Sequence, residues 1–323
     1  MRTIAIVAGG DSSEYEISVK SAVEVSKLIS SGYKVYIIII KNVNWYWEDP
    51  KGRYHSIDKN NFTLDVDDNI IRFDAVFIAI HGKPGENGQL QGYFDMMQIP
   101  YTGCSSFCSA LTFNKHACKL FLKEYNIPMA FNILLRKGET IDPSNIIKRI
   151  GLPCFVKPND SGSSFGVSKV KKPEELQQAV SDAFRESDEV IIESFMKGRE
   201  VACGVVKTLS RKIVLPVTEI ISSNEFFDYE AKYTAGKSDE ITPADLSEII
   251  TDEIQRLGSE ISDLLGCRGI VRVDFIIVDN KPLFLEINTV PGMTEESLIP
   301  KQAAAAGIQL SELYSMVIED LFS

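Results

Sequence analysis

Carboxylate, amide and guanidinium side chains interrupt two apolar runs near the C-terminal end of the chain. The run GIVRVDFIIV carries Arg272 and Asp274, and the run LFLEIN carries Glu286 and Asn288. Each pair is two residues apart, so in a strand both side chains of a pair point to the same face. If the two strands pair, the four polar side chains converge. Their oxygens are ligands that Mg²⁺ prefers, but Arg272 could equally neutralise the carboxylates in an ion-pair cluster. The two runs alone leave both interpretations open.

Two lysines and a loop of small residues offer groups that can bind phosphate. Lys157 lies at the end of the strand-like run FVKP, and the loop SGSSFG at residues 161–166 follows it. Backbone N–H groups and hydroxyls in such a turn can contact phosphate oxygens. The loop lacks the G-x-x-x-x-G-K-[ST] pattern, so an ordinary hairpin turn explains it equally well. Lys115, in NKHACK, is by itself most simply a surface lysine.

Three glutamates lie in or beside turns. Glu14, in GGDSSEYE, stands where a helix dipole favours an acid. Glu193 and Glu200 bracket a glycine turn in ESFMKGRE and are by default solvated carboxylates. The loop FFDYEAKYTAGK, residues 226–237, places aromatic side chains among charges. An exposed loop with this composition is expected to cover something.

The apolar runs predict the elements that position these residues. TIAIVAGG predicts a buried strand that ends in a glycine turn, and ISVKSAVEVSKLISSG has the apolar spacing of a helix. KVYIIII and FDAVFIAIHG predict two further buried strands, which indicates an open parallel sheet. Ligands of such sheets bind beyond the carboxyl ends of the strands. The segments AGGDSSE and HGKPGENGQ lie at such ends.

Changes in the pattern of apolar and polar residues divide the rest of the chain. Short strands alternate with polar helical stretches from 131 to 206, which predicts a small α+β unit. The remainder predicts a long amphipathic helix, two strands at 269–288 and two terminal helices. WYWEDPKGRYHSID, at 45–58, predicts a β-ribbon that displays aromatics near a dimer contact. The predicted domains are 1–113, 114–206 and 207–323.

Composition excludes several classes of protein. The 323 residues carry a formal charge of −11, which argues against nucleic acid as the main partner. The apolar run VYIIII is too short to span a membrane and no signal peptide is evident, so the cytoplasm is the default location. The 6 cysteines include no C-x-x-C pair and the chain has 3 histidines, which argues against a zinc site. All the cysteines are expected to be reduced.

A series of segments, taken together, resembles the D-alanine–D-alanine ligases, a family of ATP-grasp enzymes. In the family's order they are GGDSSEYEIS, HGKPGENGQLQG, IPYTG, SALTFNK, FVKPNDSGSSFGV, VIIESFMKGRE, FFDYEAKY, RGIVRVDF and LEINTVPGMTEESLIP. The resemblance implies an α/β (α+β) ATP-grasp fold with a Rossmann-like N-terminal domain, a small central α+β domain and a C-terminal α+β domain. ATP would lie between the central and C-terminal domains.

The resemblance also implies a reaction. Two D-alanines would be joined through a D-alanyl phosphate, with release of ADP and phosphate, to supply a peptidoglycan precursor in the cytoplasm. ATP and two Mg²⁺ or Mn²⁺ ions would be required, and dependence on a monovalent cation is left open. The implied partners are small-molecule substrates and a second copy of the chain, without nucleic acid or membrane insertion.

The resemblance assigns a role to each candidate residue. Asp274, Glu286 and Asn288 would hold the metal ions, Arg272 would stabilise the acyl phosphate and Gly292 would leave room for the oxyanion. The ATP-binding set would be Lys115, Lys157, Ser163, Ser164, Glu193, Phe195, Met196, Glu200 and Lys232.

The amino acids would bind elsewhere in the same cleft. Glu14 would bind the first ammonium beside His81, and Ser297 with the backbone of Leu298 would bind the second carboxylate. Glu14, Ser163 and Tyr233 would form a latch that holds the loops closed over the reacting groups. Water must be excluded because an acyl phosphate hydrolyses easily.

Two alternatives concern the activity. Tyr233 favours D-alanine over D-lactate as the second substrate, because relatives that use D-lactate lack this tyrosine. D-serine is not separated from D-alanine, since one hydroxyl is a small difference for a pocket to discriminate. A nucleotide-binding module without catalysis is disfavoured because the set of lysines, Arg272 and metal-ligand candidates is complete.

Overall fold

The computed structural model describes residues 1–162, 166–222 and 238–323. In these ranges the strands form three sheets, and helices pack on each of them. The sheets follow one another along the chain, so each takes its strands from a continuous part of the sequence.

The first sheet is built from residues 3 to 78. Its strands are β1 (Thr3–Gly9), β2 (Lys34–Lys41), β3 (Asn44–Glu48), β4 (Tyr54–Asp58), β5 (Thr63–Val66), β6 (Asn69–Arg72) and β7 (Ala75–Ile78). The strand order is β6-β5-β4-β3-β2-β1-β7. Helix α1 (Tyr15–Ile29) connects β1 to β2 and buries its apolar side against the sheet.

The pairing of this sheet is mixed. β1 lies parallel to both β2 and β7, as the three buried apolar runs predict. From β2 to β6, each strand pairs antiparallel with the next strand along the chain, because the short turns between them can join only antiparallel strands. The β-ribbon predicted at 45–58 is confirmed by the pairing of β3 with β4.

Three helices lead from the first sheet to the second. They are α2 (Gln89–Met97), α3 (Ser106–Phe113) and α4 (Lys115–Lys123). Ser105 caps α3 by accepting a hydrogen bond from the Cys108 N–H, and Asn114 caps α4 by accepting one from the Ala117 N–H. Each cap fixes the residue at which its helix begins.

The second sheet has the strand order β10-β9-β11-β8 and is antiparallel. Its strands are β8 (Asn132–Arg136), β9 (Cys154–Pro158), β10 (Ser168–Val170) and β11 (Glu189–Ser194). Helices α5 (Pro143–Ile150) and α6 (Leu176–Ala183), with a short 3-10 helix at Pro173–Glu175, cover one face.

The third sheet is formed by β12 (Arg199–Lys207), β13 (Lys212–Val214), β14 (Thr218–Ser222), β15 (Ser238–Ile241), β16 (Gly269–Val278) and β17 (Lys281–Asn288). Its order is β15-β14-β12-β16-β17, and β13 pairs with β12. β12 therefore joins the C-terminal strands, although the predicted boundary at 206 groups most of it with the central segment. The domain division remains a prediction.

The chain ends in helices that return to the first sheet. They follow α7 (Glu248–Leu264) and are α8 (Leu298–Ala305), α9 (Leu310–Glu319) and a 3-10 turn at Asp320–Phe322. These elements confirm the predicted long helix and two terminal helices. The ring of Tyr314 on α9 lies 5.9 Å from that of Phe77 on β7, within one buried apolar cluster. The same cluster contains Val206 of β12 and Ile270 of β16, so the first and third sheets share a core.

No helix within the described ranges combines the length and the apolar character that crossing a bilayer requires.

Candidate active site

The pairing of β16 with β17 brings the four polar side chains together. Arg272 stands opposite Asn288, and Asp274 stands opposite Glu286. The predicted convergence is therefore confirmed. Both Arg272 Nε and Nη2 donate to the Asp274 carboxylate at 2.8 Å, and Asn288 Nδ2 donates to Asp274 Oδ2 at 3.0 Å. Asp274 is buried, whereas Glu286 is partly open to solvent.

These residues fit a hard divalent cation as a donor set, because Asp274, Glu286 and Asn288 supply oxygens from adjacent positions of one ladder. The ion pair that the structural alternative predicts is also present. Arg272 holds both oxygens of Asp274. A cation can therefore bind Asp274 only if the guanidinium releases one of them or the two share it.

The N-terminus of α4 brings a lysine to the same place. Lys115 Nζ lies 3.5 Å from Glu286 Oε2 and donates to the carbonyl oxygen of Ser161 at 2.8 Å. The start of α4 is held by Asn159, which is completely buried: its carbonyl accepts from the Lys115 N–H and its side chain accepts from the His116 N–H. Lys115 is thus positioned between the β17 carboxylate and the carbonyl oxygen of Ser161, not on an open surface.

A second positive group lies on β9. Lys157 Nζ is 2.7 Å from Glu193 Oε2, and Lys119 Nζ is 2.6 Å from the other carboxylate oxygen. Burial alone would raise the pKa of Glu193, but the two ammonium groups lower it to about 2. For Lys157, burial opposes the charge, but Glu193 and then Glu286 and Glu200 raise its pKa. Lys157 therefore stays charged.

Lys119 was not identified from the sequence. Its side chain is 2% exposed and lies among the buried residues of α4. The available signal was its position four residues after Lys115, on the helix face that carries the buried Cys118 and Leu122. A lysine in such a row has to meet a buried carboxylate.

The predicted nucleotide residues surround the β11–β12 turn. Phe195 and Met196 are half-buried in this turn. The ring of Phe195 lies 5.9 Å from that of Phe155, and Lys169 Nζ is 4.0 Å from its centre. Glu200, at the start of β12, acts electrostatically on Lys157. An apolar surface, an acid and a lysine are thus collected at one edge.

Glu14 and His81 lie on the side formed by the first sheet. Glu14 is the last residue before α1, and its Oε2 atom lies close enough to Gly162 that a β-carbon there would be 2.9 Å away. His81 Nδ1 is 2.7 Å from the carbonyl oxygen of Val290, and Nε2 is 3.3 Å from the Ser21 hydroxyl. Because a carbonyl only accepts, Nδ1 carries a proton. Glu14 therefore lies beside Gly162, and His81 lies beside the turn that follows β17.

Glu86 connects two of these segments and was missed by sequence reasoning. Its Oε2 accepts from the Gly82 N–H at 2.7 Å, and its Oε1 accepts from the Val290 N–H at 3.0 Å. Burial, and then the negative charge of Glu14, raise its pKa. It follows His81 by five residues in a glycine-rich loop, which gave no pattern beyond the loop itself.

The turn after β17 brings together the residues that are predicted to bind the second D-alanine. Ser297 precedes α8, and Leu298 is its first residue. The Ser297 and Thr294 hydroxyls are 2.8 Å apart. A β-carbon on Gly292 would lie 2.6 Å from Ser297 Oγ, so this position has room for hydrogen only. Ser163, Ser164, Lys232 and Tyr233 lie outside the described residues.

Comparison with known proteins identifies the family. Residues 3–104 match the family model "D-ala D-ala ligase N-terminus", and residues 121–319 match "D-ala D-ala ligase C-terminus". The chain belongs to the D-alanine–D-alanine ligase family. A relative from Phocaeicola vulgatus, named D-alanine–D-alanine ligase, is 49% identical over 323 residues, which is 99% of each chain.

Solved structures agree with this membership in the ligase family. D-alanyl-alanine synthetase A from Vibrio cholerae has a TM-score of 0.90 at 29% identity, covering 100% of this chain and 99% of the other. The VanG D-Ala:D-Ser ligase from Enterococcus faecalis has a TM-score of 0.87 at 32% identity, covering 99% of both. The ligase from Bacillus anthracis complexed with ATP has a TM-score of 0.80 at 28% identity, covering 100% and 98%.

Proposed function

We propose that this chain joins two D-alanine molecules to D-alanyl-D-alanine with conversion of ATP to ADP and phosphate, through a D-alanyl phosphate. The observation that supports the reaction most directly is the meeting of Lys115 with the polar face of β16 and β17, 3.5 Å from Glu286. Phosphoryl transfer depends mainly on positioning and charge neutralisation. A lysine, an arginine and three oxygen donors at one place meet that requirement within this family.

ATP would bind between the second and third sheets. Lys115 and Lys157 would contact the phosphates, together with Ser163, Ser164 and Lys232. Glu193 would accept from the adenine amino group, Phe195 and Met196 would line the base, and Glu200 would bind the ribose hydroxyls. To reach adenine, Glu193 would need to keep one oxygen available beside its two lysine partners.

Asp274, Glu286 and Asn288 would hold Mg²⁺ or Mn²⁺. Such ions, when bound, neutralise charge on the phosphates and stabilise the transferring group. The donor set supports this proposal, since all three residues offer hard oxygen ligands on one side of the ladder. Dependence on a monovalent cation is tested by changing that cation in the activity assay.

The first half of the reaction forms the activated acid. Glu14 would bind the ammonium of the first D-alanine near His81. The D-alanine carboxylate oxygen attacks the γ-phosphorus, the bond to the bridging oxygen of ADP breaks, and D-alanyl phosphate results. Arg272 would stabilise the charge on this intermediate, where one well-placed donor typically contributes about 3 kcal/mol.

The second half forms the peptide bond. Ser297 and the N–H of Leu298, at the start of α8, would bind the carboxylate of the second D-alanine. Its amine attacks the acyl carbonyl beside Gly292, the carbon–oxygen bond to phosphate breaks, and the nitrogen loses a proton. The Glu14, Ser163 and Tyr233 latch would exclude water during this interval. We further propose that the protein works in the cytoplasm and that it forms a homodimer. Sedimentation of the purified chain would test the dimer.

The decisive experiment supplies purified protein with ATP, Mg²⁺ and D-alanine, and measures released phosphate and dipeptide by mass spectrometry. D-serine and D-lactate are offered as competing acceptors, because VanG, which shares the fold, is named for D-serine. We expect D-alanyl-D-alanine as the main product. Absence of any dipeptide from protein that binds ATP normally would overturn the ligase proposal. A main product that contains D-serine would overturn only the acceptor assignment.

A further inference from the structure

Three cysteines from distant parts of the sequence meet beneath the surface. The Sγ atoms of Cys104, Cys108 and Cys267 all lie within 4.8 Å of one another, and those of Cys108 and Cys267 are 3.7 Å apart. Each residue is at most 2% exposed. The proposed ligation reaction uses none of them.

Local structure fixes these positions. Cys104 and Cys108 are four residues apart around the Ser105 cap of α3, whose hydroxyl accepts from the Cys108 N–H at 3.3 Å. Cys267 lies in the turn between α7 and β16, where its N–H donates to the carbonyl oxygen of Ser262 at 2.9 Å. The three sulfur atoms are therefore brought together by a helix cap and a helix-ending turn.

Backbone contact beside the cluster keeps the two segments in register. Gly269 has φ +75°, and a β-carbon there would lie 2.8 Å from the Cα of Gly103. The Cys104 thiol also donates to the carbonyl oxygen of Arg268 at 3.5 Å. The segments that carry the cysteines are thus joined through main-chain packing as well as through sulfur.

We propose that Cys104, Cys108 and Cys267 form a binding site for one thiophilic d¹⁰ cation. Three sulfur atoms that each lie about 2.3 Å from one cation would be about 4 Å apart. The observed Sγ separations, 3.7 Å for Cys108 and Cys267 and at most 4.8 Å for the other two pairs, lie within about 1 Å of this arrangement. Thiolates are the soft ligands that select Cu(I) and Zn(II) over Mg²⁺, so this site would not compete for the ions proposed at β16 and β17.

The thiols of Cys108 and Cys267 lie within hydrogen-bond distance of each other, with 3.7 Å between their Sγ atoms. A cation would replace the protons that the sulfur atoms now share.

The number of ligands favours copper. In the described part of the chain, the cluster contains three metal-binding side chains. Structural zinc almost always takes four protein ligands, whereas three sulfur atoms suffice for three-coordinate Cu(I). The site also lies near solvent: Ser105, Phe107 and Gly266, each adjacent to one of the cysteines, are exposed.

The test titrates the reduced full-length protein anaerobically with Cu(I), and separately with Zn(II), against a competing chelator. We expect one Cu(I) per chain and weaker binding of Zn(II). Cys104→Ser, Cys108→Ser and Cys267→Ser should each weaken Cu(I) binding by about 100-fold or more. Cys154→Ser is the matched control, since Cys154 is equally buried but lies on β9 in a different apolar cluster, and it should bind Cu(I) like wild type.

Wild-type protein that binds neither ion more tightly than the three variants would overturn the site. Zn(II) bound more tightly than Cu(I) would overturn the three-coordinate copper assignment. X-ray absorption of copper-loaded wild type does not depend on the folding of any variant and should show three sulfur atoms around copper. A first shell without sulfur would also overturn the proposal. Ligase activity is measured separately, so its failure would leave this result unaffected.

Discussion

Glu286 and Asp274 face each other across the β16–β17 ladder but have different neighbours. Asp274 is buried and held by Arg272 and Asn288, while Glu286 is partly exposed with Lys115 at 3.5 Å. Removing Asp274 would take away the buried carboxylate that accepts two hydrogen bonds from the Arg272 guanidinium. Removing Glu286 would disturb much less of the fold, so a substitution of Glu286 can distinguish a metal-binding role from a structural role.

Glu286→Ala is expected to lower the rate of ligation by about 100-fold or more, because a metal ligand is lost at the phosphates. Its free energy of unfolding should change by less than about 1 kcal/mol, since the ion pair with Lys115 is partly exposed. Steady-state kinetics and urea unfolding measure the two quantities. An unfolding midpoint far below wild type in metal-free buffer would favour the ion-pair interpretation, and Glu174→Ala, at an exposed position, is the control.

Glu193→Gln is expected to lower the free energy of unfolding at pH 7 by about 3 kcal/mol, because Lys119 and Lys157 would lose their buried partner. The pKa of Glu193 falls from 4.5 unfolded to about 2 folded. Its stabilisation is therefore complete above about pH 4.5 and is lost as pH falls through 2.

The difference between wild type and Glu193→Gln should accordingly narrow between pH 4.5 and 2. Denaturant unfolding at several pH values measures it, and exposed Glu174→Gln should show no such change. A difference in the free energy of unfolding that stays constant across this range would mean that the two lysines do not lower the pKa of Glu193.

Helix α4 shows how one element positions several charges. Its cap at Asn114 determines where the helix begins, its first residue Lys115 reaches the β17 carboxylate, and Lys119 one turn later reaches Glu193. Asn114 accepts from the Ala117 N–H and from Asn159 Nδ2, both at 2.9 Å. The cap therefore ties the helix start to the end of β9.

Asn114→Ala is expected to cost about 1 to 2 kcal/mol of stability and to raise the KM for ATP, because α4 would start less regularly and Lys115 would be less well placed. Asp142→Ala is a matched control: Asp142 caps α5 by accepting from the Asn145 N–H, and α5 carries no candidate residue. It should lose about 1 kcal/mol with an unchanged KM. Equal KM values in both variants would show that the α4 cap does not position Lys115.

At the scale of the whole molecule, the candidate site depends on contacts between its sheets. Glu86 accepts from Gly82, in the loop after β7, and from Val290, in the turn after β17. His81 reaches the same turn through the Val290 carbonyl oxygen. The proposed sites for the two D-alanines are thus held in register by a few buried hydrogen bonds.

Glu86→Gln is expected to raise the KM for D-alanine by about tenfold, because the amide nitrogen would face a backbone N–H and one hydrogen bond would be lost. The KM for ATP should not change. Glu139→Gln is the control, since Glu139 also accepts from a backbone N–H, that of Arg136, but on the surface. If both KM values rose together, Glu86 would instead be supporting the whole fold.

The local pattern of the sequence was sufficient for much of the fold. Strict apolar runs predicted β1, β2 and β7 as parallel strands, and alternation placed Arg272 with Asp274 and Glu286 with Asn288. The pairing of β2 to β6 was not recognised as antiparallel in advance, except for the ribbon at 45–58. Apolar runs indicate burial, whereas the direction of pairing is set by the turns that join the strands.

The sequence by itself determined which side chains share a strand face, and its ordered motifs determined the family. Only the tertiary structure decided that Lys119 meets Glu193, that Glu86 joins two loops, and that Cys104 and Cys108 meet Cys267. The physical reason is separation along the chain. Periodicity fixes the direction of neighbouring side chains, but contacts between residues far apart along the chain depend on how helices and sheets pack.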